Sequence, residues 1–289
     1  MRSAYCVFRL TEMTIDLGFA LHPKWVEHTT LETFLAPLET AGMRVLEFTL
    51  HPEGDEWLPM QALAERCVRA GYRCHFHAPY HDPFNPAGFA SARRAQVEQL
   101  YAPTIEMAER LARESQFNAA FVIHGARGTA PREGLIEDTR QFLAWTLEQT
   151  RHVRPMLELL PPAAGLNKVG DTRDEVLAIV REFDNLRLGL CWDLGHDAFI
   201  GYSDVPRADF LAAVRHVHIH DLNAAREDHF PLVFGNVPWQ ADLRALMNVG
   251  YTGAVVLEIN GYRAASVPRL FERLAESFTV MSQVVVRIT

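Results

Sequence analysis

Short apolar runs in this chain of 289 residues end, one after another, in imidazole or carboxylate side chains. In order they finish at His77 (RCHFHAPY), His124 (AFVIHG), Glu158 (PMLELL), Asp193 with His196 (LGLCWDLGH), His218 (VRHVHIHD) and Glu258 (AVVLEIN). An unpaired carboxylate in such a run costs several kcal/mol, so a series of them needs a reason. Ligands converging on metal supply one. Carboxylate and imidazole donors suit Zn²⁺, Mn²⁺, Fe²⁺, Co²⁺ or Mg²⁺. Glu158, Asp193, His218 and Glu258 come from four successive runs and can encircle one cation, leaving positions open. His77 and His124 can share Glu158 as a bridge to a second. His196, with Glu227 and His229 from the segment REDHF, can form a third site, so one to three divalent cations per chain are expected. His75 and His220 share a face with His77 and His218 by the period of two, and either can displace its neighbour as a ligand; His216 has the same parity but lies deeper.

Strands must deliver these residues. The candidates are 13–19, 43–49, 73–78, 119–124, 154–159, 187–193, 215–220 and 254–259, with amphipathic helical patterns near 30–41, 58–70, 90–114, 132–151, 172–183, 207–214, 239–248 and 266–283. Eight strands alternating with helices predict a single-domain (β/α)₈ TIM barrel over residues 13–283. The strands are nearly continuous in apolar residues, as expected where both faces are covered. Asp171-Thr172 reads as a helix start, and Gly42, Gly71 and Gly250 read as helix ends. Residues 1–12 are expected to be an N-terminal extension. The tail VVVRIT, 284–289, is expected to be a strand-like extension packing outside the barrel. In such a barrel the strand C-termini form the active face, and every residue at a run end falls there.

Composition bounds the partners. The formal charge of -8 gives no bulk attraction toward nucleic acid. The only lysines are Lys24 and Lys168. Cys6, Cys67, Cys74 and Cys191 form no CxxC pair and read as reduced thiols of a cytoplasmic protein. No apolar run reaches the length of a membrane span, and the first residues do not read as a signal peptide.

Several segments together resemble the xylose-isomerase-like barrel superfamily, which includes endonuclease IV and many sugar and sugar-phosphate isomerases and epimerases. LGLCWDLGHDAFIGYSD resembles the strand-six signature C-x-D-T-x-H-A, and HVHIHD the strand-seven histidine motif. EDHFPLVFGNVPW is similar to the loop D-x-H-x-P-L-G-x-G, LEIN to the strand-eight motif and HAPY to the strand-three motif. The likeness spans roughly 14–280 and is specific for the superfamily rather than for a substrate. It implies a single-metal set on Glu158, Asp193, His218 and Glu258. The three-metal set of endonuclease IV would add His77, His124, His196, Glu227 and His229, although that family has Asp where Glu227 stands. ELLPP replaces E-N-T-A-G, HGARG replaces H-P-G, and LVFG replaces L-G-x-G.

The resemblance implies a divalent-metal-dependent isomerase or epimerase of a small sugar or related polyhydroxy carbonyl compound, with Glu158 and Glu258 transferring the proton. Glu47, Tyr80, Arg127 and Trp192 are expected to contact substrate, Arg127 through a phosphate or carboxylate. The alternative is an endonuclease-IV-like zinc phosphodiesterase acting on abasic DNA, with Tyr80 where the nuclease carries a DNA-inserting residue. The acidic loop HPEGDEW counts against nucleic acid, because it stands where that family presents an arginine. A metal-dependent lyase, dehydratase or hydrolase and a non-catalytic binding protein are further alternatives, and a homodimer is compatible with all of them.

Overall fold

A computed structural model of the chain describes residues 15–27, 29–52, 55, 57–265 and 267–288. The extension expected over 1–12 lies outside these residues, as does part of the acidic loop after the second strand. Eight parallel strands form a closed barrel: β1 Asp16–Ala20, β2 Val45–Thr49, β3 Arg73–His77, β4 Ala119–Ile123, β5 Val153–Glu158, β6 Gly189–Asp193, β7 Val214–Ile219 and β8 Ala254–Leu257. Each strand pairs with its neighbours in sequence, and β8 pairs with β1. Helices α1 Leu31–Thr40, α2 Trp57–Arg69, α3 Arg94–Ser115, α4 Arg132–Gln149 and α5 Arg173–Glu182 cover the outside of the first half. The second half carries α6 Leu194–Ile200, α7 Ala208–Leu211, α8 Trp239–Asn248, α9 Gly261–Ala264 and α10 Leu270–Ile288.

Alternation along the strands explains the two surfaces of the barrel wall. Leu46, Phe48, Phe76, Phe121, Leu157, Leu190, Trp192 and Val217 point outward into the main core. The inward residues are smaller: Val45, Ala254 and Val256 form one interior cluster, and Ala120, Val122, Met156 and Cys191 another. Polar groups interrupt that interior. Glu47, His75, His216 and His218 are all buried there, and their placement organises the site described below.

Thr172 caps α5, its side chain accepting the Glu175 N–H. The tail differs from expectation. Residues 284–288 continue α10 instead of forming a strand outside the barrel. The β-branched run VVV favours a strand locally, but each residue added to an existing helix gains a hydrogen bond without a new nucleus. Context wins over propensity here. A two-residue ribbon, Arg127–Gly128 against Asn167–Lys168, ties the loop after β4 to the loop after β5.

Candidate metal centre

His77 closes β3, Glu158 closes β5 and Asp193 closes β6. His218 is the penultimate residue of β7 and lies in register with Asp193. His124 and Glu258 each follow their strand by one residue. Closure of the barrel therefore gathers all six at its C-terminal end. One ligand atom each from Glu158, Asp193, His218 and Glu258 falls within a mutual 4.8 Å. His218 Nδ1 is 3.3 Å from Glu158 Oε1 and 3.1 Å from Glu258 Oε2. A second group of the same tightness joins Glu158 to His77 and His124. Glu158 Oε2 is 3.3 Å from His77 Nε2 and 2.8 Å from His124 Nε2.

A third group is Asp193, His196, His220 and His229. Asp193 is the N-cap of α6: its Oδ1 accepts the His196 N–H at 2.8 Å, which sets His196 one turn above it. His220 stacks on His229, with ring centroids 4.2 Å apart. Glu227 is not part of this group. It is exposed and accepts a hydrogen bond from Asn223 Nδ2 at 2.6 Å. The strand places His220 inside the barrel next to Asp193, whereas Glu227 sits on an outward turn of the loop. His220 thus stands in this group where Glu227 was expected, while His218, which the period of two offered His220 to replace, keeps its own place in the first group.

The residues fit a cation by a test internal to the structure. Asp193 Oδ2 and Glu258 Oε2 are buried without a well-directed hydrogen bond, although His196 Nδ1 and His218 Nδ1 each approach them to 3.1 Å. Atoms that come close without pairing face a common space. Burial raises the carboxyls of Glu158 and Glu258, but the neighbouring imidazoles outweigh it and hold both well below the usual range. Burial also brings His124 and His196 down to about 4, leaving them neutral, with a lone pair for a metal. At His77 and His229 burial opposes a charge, yet Glu158 and Glu258 respectively outweigh it and raise the imidazoles. His218 is likewise raised against burial, by the Cys191 sulfur and by Glu47 and Glu258. Cys191 itself is no soft ligand, because burial pushes its thiol up, away from the thiolate.

The expected substrate contacts divide. A cavity of about 310 Å³ opens above the centre, lined by Tyr80, His51, His81, Asp228, His229 and Glu258 among others, a size suited to a small ligand. Tyr80 packs its ring 4.8 Å from that of His124. Glu47 borders the cavity, but both its oxygens are engaged by His216 and His218. Trp192 does not contact the site: it is fully buried and packs edge-on against Phe210, because alternation turns it outward beside inward Asp193. Arg127 is held by the Tyr80 carbonyl at 2.6 Å and Asp82 at 2.7 Å, and it is not among the cavity residues. Asp228, which pairs with Arg263, gave no signal in the sequence. A larger hollow of about 500 Å³ lies at the other end of the barrel, among strand starts such as Asp16 and Ala254, away from the ligand groups.

The family profile described as xylose isomerase-like TIM barrel matches residues 35–280. The chain belongs to that family. It is similar to a D-tagatose 3-epimerase-like protein (TM-score 0.70, 21% identity, 95% of this chain and 98% of the other). It is also similar to an L-ribulose 3-epimerase (TM-score 0.69, 18% identity, 95% and 96%). The IOLI protein, solved with a binding zinc atom, is a third likeness (TM-score 0.63, 16% identity, 95% and 98%). At these identities the likeness is one of fold. Two uncharacterized proteins of Methanocaldococcus jannaschii match in part. One is 30% identical over 116 residues, 38% of this chain and 38% of its own length. The other is 26% identical over 141 residues, 48% of this chain and 50% of its own length. Among the described residues, no helix is long and apolar enough to cross a membrane.

Proposed function

We propose that this member of the xylose isomerase-like family is a divalent-cation-dependent isomerase or epimerase of a small polyhydroxylated carbonyl compound. The observation that carries the reading is the group Glu158, Asp193, His218 and Glu258, with ligand atoms within 4.8 Å of one another, beneath a cavity of about 310 Å³. These four would hold the cation, whose chemistry is to polarise a carbonyl and acidify the neighbouring C–H. Glu258 lines the cavity and is the carboxylate that meets substrate first. Glu158 lies across His218 Nδ1 from it. One carboxylate takes the proton from carbon and the other returns it, by general acid–base logic. Tyr80 and Asp228 bound the cavity and orient the chain of hydroxyls. The likeness in fold to a D-tagatose 3-epimerase-like protein and an L-ribulose 3-epimerase supports this reading.

A second reading rests on a specific observation. The His77–His124–Glu158 group and the Asp193–His196–His220–His229 group flank the first one and share Glu158 and Asp193 with it. Such bridged groups suit several zinc ions and hydrolysis of a phosphodiester. Metal content per chain, measured on protein purified without added metal or chelator, separates the two. About one Mn, Co, Mg or Fe per chain, with turnover on a panel of ketoses, is the expected outcome. Two to three Zn per chain with cleavage of an abasic-site duplex would replace it with the second reading.

A further inference from the structure

Glu47 sits in the middle of β2, buried, and its carboxylate reaches across the barrel interior to two imidazoles of β7. Its Oε1 is 2.8 Å from His218 Nε2, and its Oε2 is 2.7 Å from His216 Nε2. Both contacts are well-directed hydrogen bonds between fully enclosed groups. An ionised carboxylate only accepts, so each imidazole must donate from Nε2. That fixes the proton of His218 on the side away from the ligand group. Its Nδ1 is then left to face Glu158 Oε1 at 3.3 Å and Glu258 Oε2 at 3.1 Å.

Among the described residues, Glu47 Oε1 is the hydrogen-bond acceptor at His218 Nε2, so it sets this choice. A lone pair on Nδ1 beside two carboxylate oxygens is repulsive unless a proton or a metal cation lies between them, and a metal takes the place of that proton. Partners of this kind on the far nitrogen of a ligating histidine orient the ring and raise its basicity. We propose that Glu47 is a positioning residue that never touches the cation: it holds His218 in the Nε2–H form so that Nδ1 is the ligating atom. The inference rests on the cation reading of the site. It reassigns Glu47 from a substrate contact to the support beneath the metal ligand, and it explains why a carboxylate is kept in the barrel interior at all.

His216 supplies the control. It shares the same carboxylate with equal burial, yet it stands outside the four-residue group; the group it forms with Cys191 and His218 depends on a thiol that burial keeps protonated. Mn²⁺ dissociation constants are to be measured by calorimetry on the wild type, Glu47→Gln and His216→Asn, with thermal midpoints of each in excess chelator. If Glu47 positions the ligand, Glu47→Gln weakens Mn²⁺ binding by about 10- to 100-fold while His216→Asn changes it by less than about 3-fold. Both variants lose midpoint in chelator, Glu47→Gln the more, because it disturbs both buried contacts of the carboxylate and His216→Asn only one. An unchanged Mn²⁺ affinity in Glu47→Gln, or equal weakening in His216→Asn, would overturn the proposal. A wild type that binds no divalent cation would instead remove the reading beneath it. Should Glu47→Gln fail to fold, the wild type loaded with Zn²⁺ decides. Long-range ¹H–¹⁵N spectra, assigned with His218→Gln, are expected to show His218 protonated at Nε2. Coordination through Nε2 would rule the proposal out.

Discussion

On the proposed reading, cations held by the three ligand groups would compete with protons for nitrogens at His77, His218 and His229. Carboxylates at His77 and His229, and the Cys191 sulfur with Glu47 and Glu258 at His218, hold the three imidazoles above their ordinary range against the effect of burial. Below the raised values these rings carry protons that a metal must displace, so affinity falls as pH falls and climbs as pH rises through them. Each proton displaced adds about one unit of log affinity per pH unit. Mn²⁺ calorimetry from about pH 6 to 8 is expected to show this slope, with proton release visible in buffers of different ionisation enthalpy; a flat profile would show that the imidazoles are not ligands. Most of this centre was legible in the sequence. Glu158, Asp193, His218 and Glu258 stand at strand ends, where the period of two and the barrel's active face both place them. Glu47 was not legible as a support, because its partners lie 169 and 171 positions away and only barrel closure brings them together. The exchange of Glu227 for His220 was hidden for a related reason. Loop spacing favoured Glu227, and the choice turned on which way a loop points.

At the scale of elements, the short helix α6 couples the ligand set to the barrel wall. Asp193 ends β6 and caps α6 at once, so the strand cannot shift without moving His196. Gly195 in the first turn of α6 lies against His220, and a Cβ built there would run into the imidazole ring. Helix propensity alone predicts that Gly195→Ala stabilises by about 1 kcal/mol. Steric conflict in a closed interior costs about 1–3 kcal/mol and reverses the sign. Urea unfolding of Gly195→Ala in chelator is therefore expected to show a net loss of stability, and a gain would mean that His220 moves aside freely. The eight strands were readable because each is a short apolar run, and six of them, β3 to β8, end at or within one residue of a candidate ligand. The helical tail was not readable, since VVV taken alone favours a strand and only the length of α10 before it decides otherwise. The segment LGLCWDLGH offered Asp193 and His196 as candidate ligands, and the structure shows that the same Asp193 also starts α6.

At the scale of the whole molecule, one arginine ties α5 to α6 and to the loop that follows it, and leaves one acid beside them under strain. Arg173 of α5 donates to Asp197 of α6, with Nε at 2.8 Å from Oδ1, and to the Asp204 carbonyl at 3.0 Å. Asp242 of α8 lies in the same pocket, buried, beside Asp197 and Arg173. Burial first, and then repulsion from Asp197, push its carboxyl up to about 6, from 3.8. The sign follows from proton counting. Between about pH 4 and 6 the folded chain keeps a proton that the unfolded chain has released, so stability falls as pH rises through that window. Above it the full penalty is present. The position of Asp242 in the first turn of α8 works the other way, since a negative charge there gains about 0.3–1 kcal/mol from the helix dipole. Burial and repulsion from Asp197 outweigh the attraction of Arg173, and the dipole gain is the smaller quantity beside them. Asp242→Asn removes the charge and keeps the shape, so it is expected to stabilise the barrel by about 1–2 kcal/mol near neutral pH after solvent screening, and hardly at all near pH 4. Urea unfolding at the two pH values checks this. Equal effects at both would place the strain in packing around α8, and a loss at neutral pH would mean that the helix dipole, not Asp197, governs the charge.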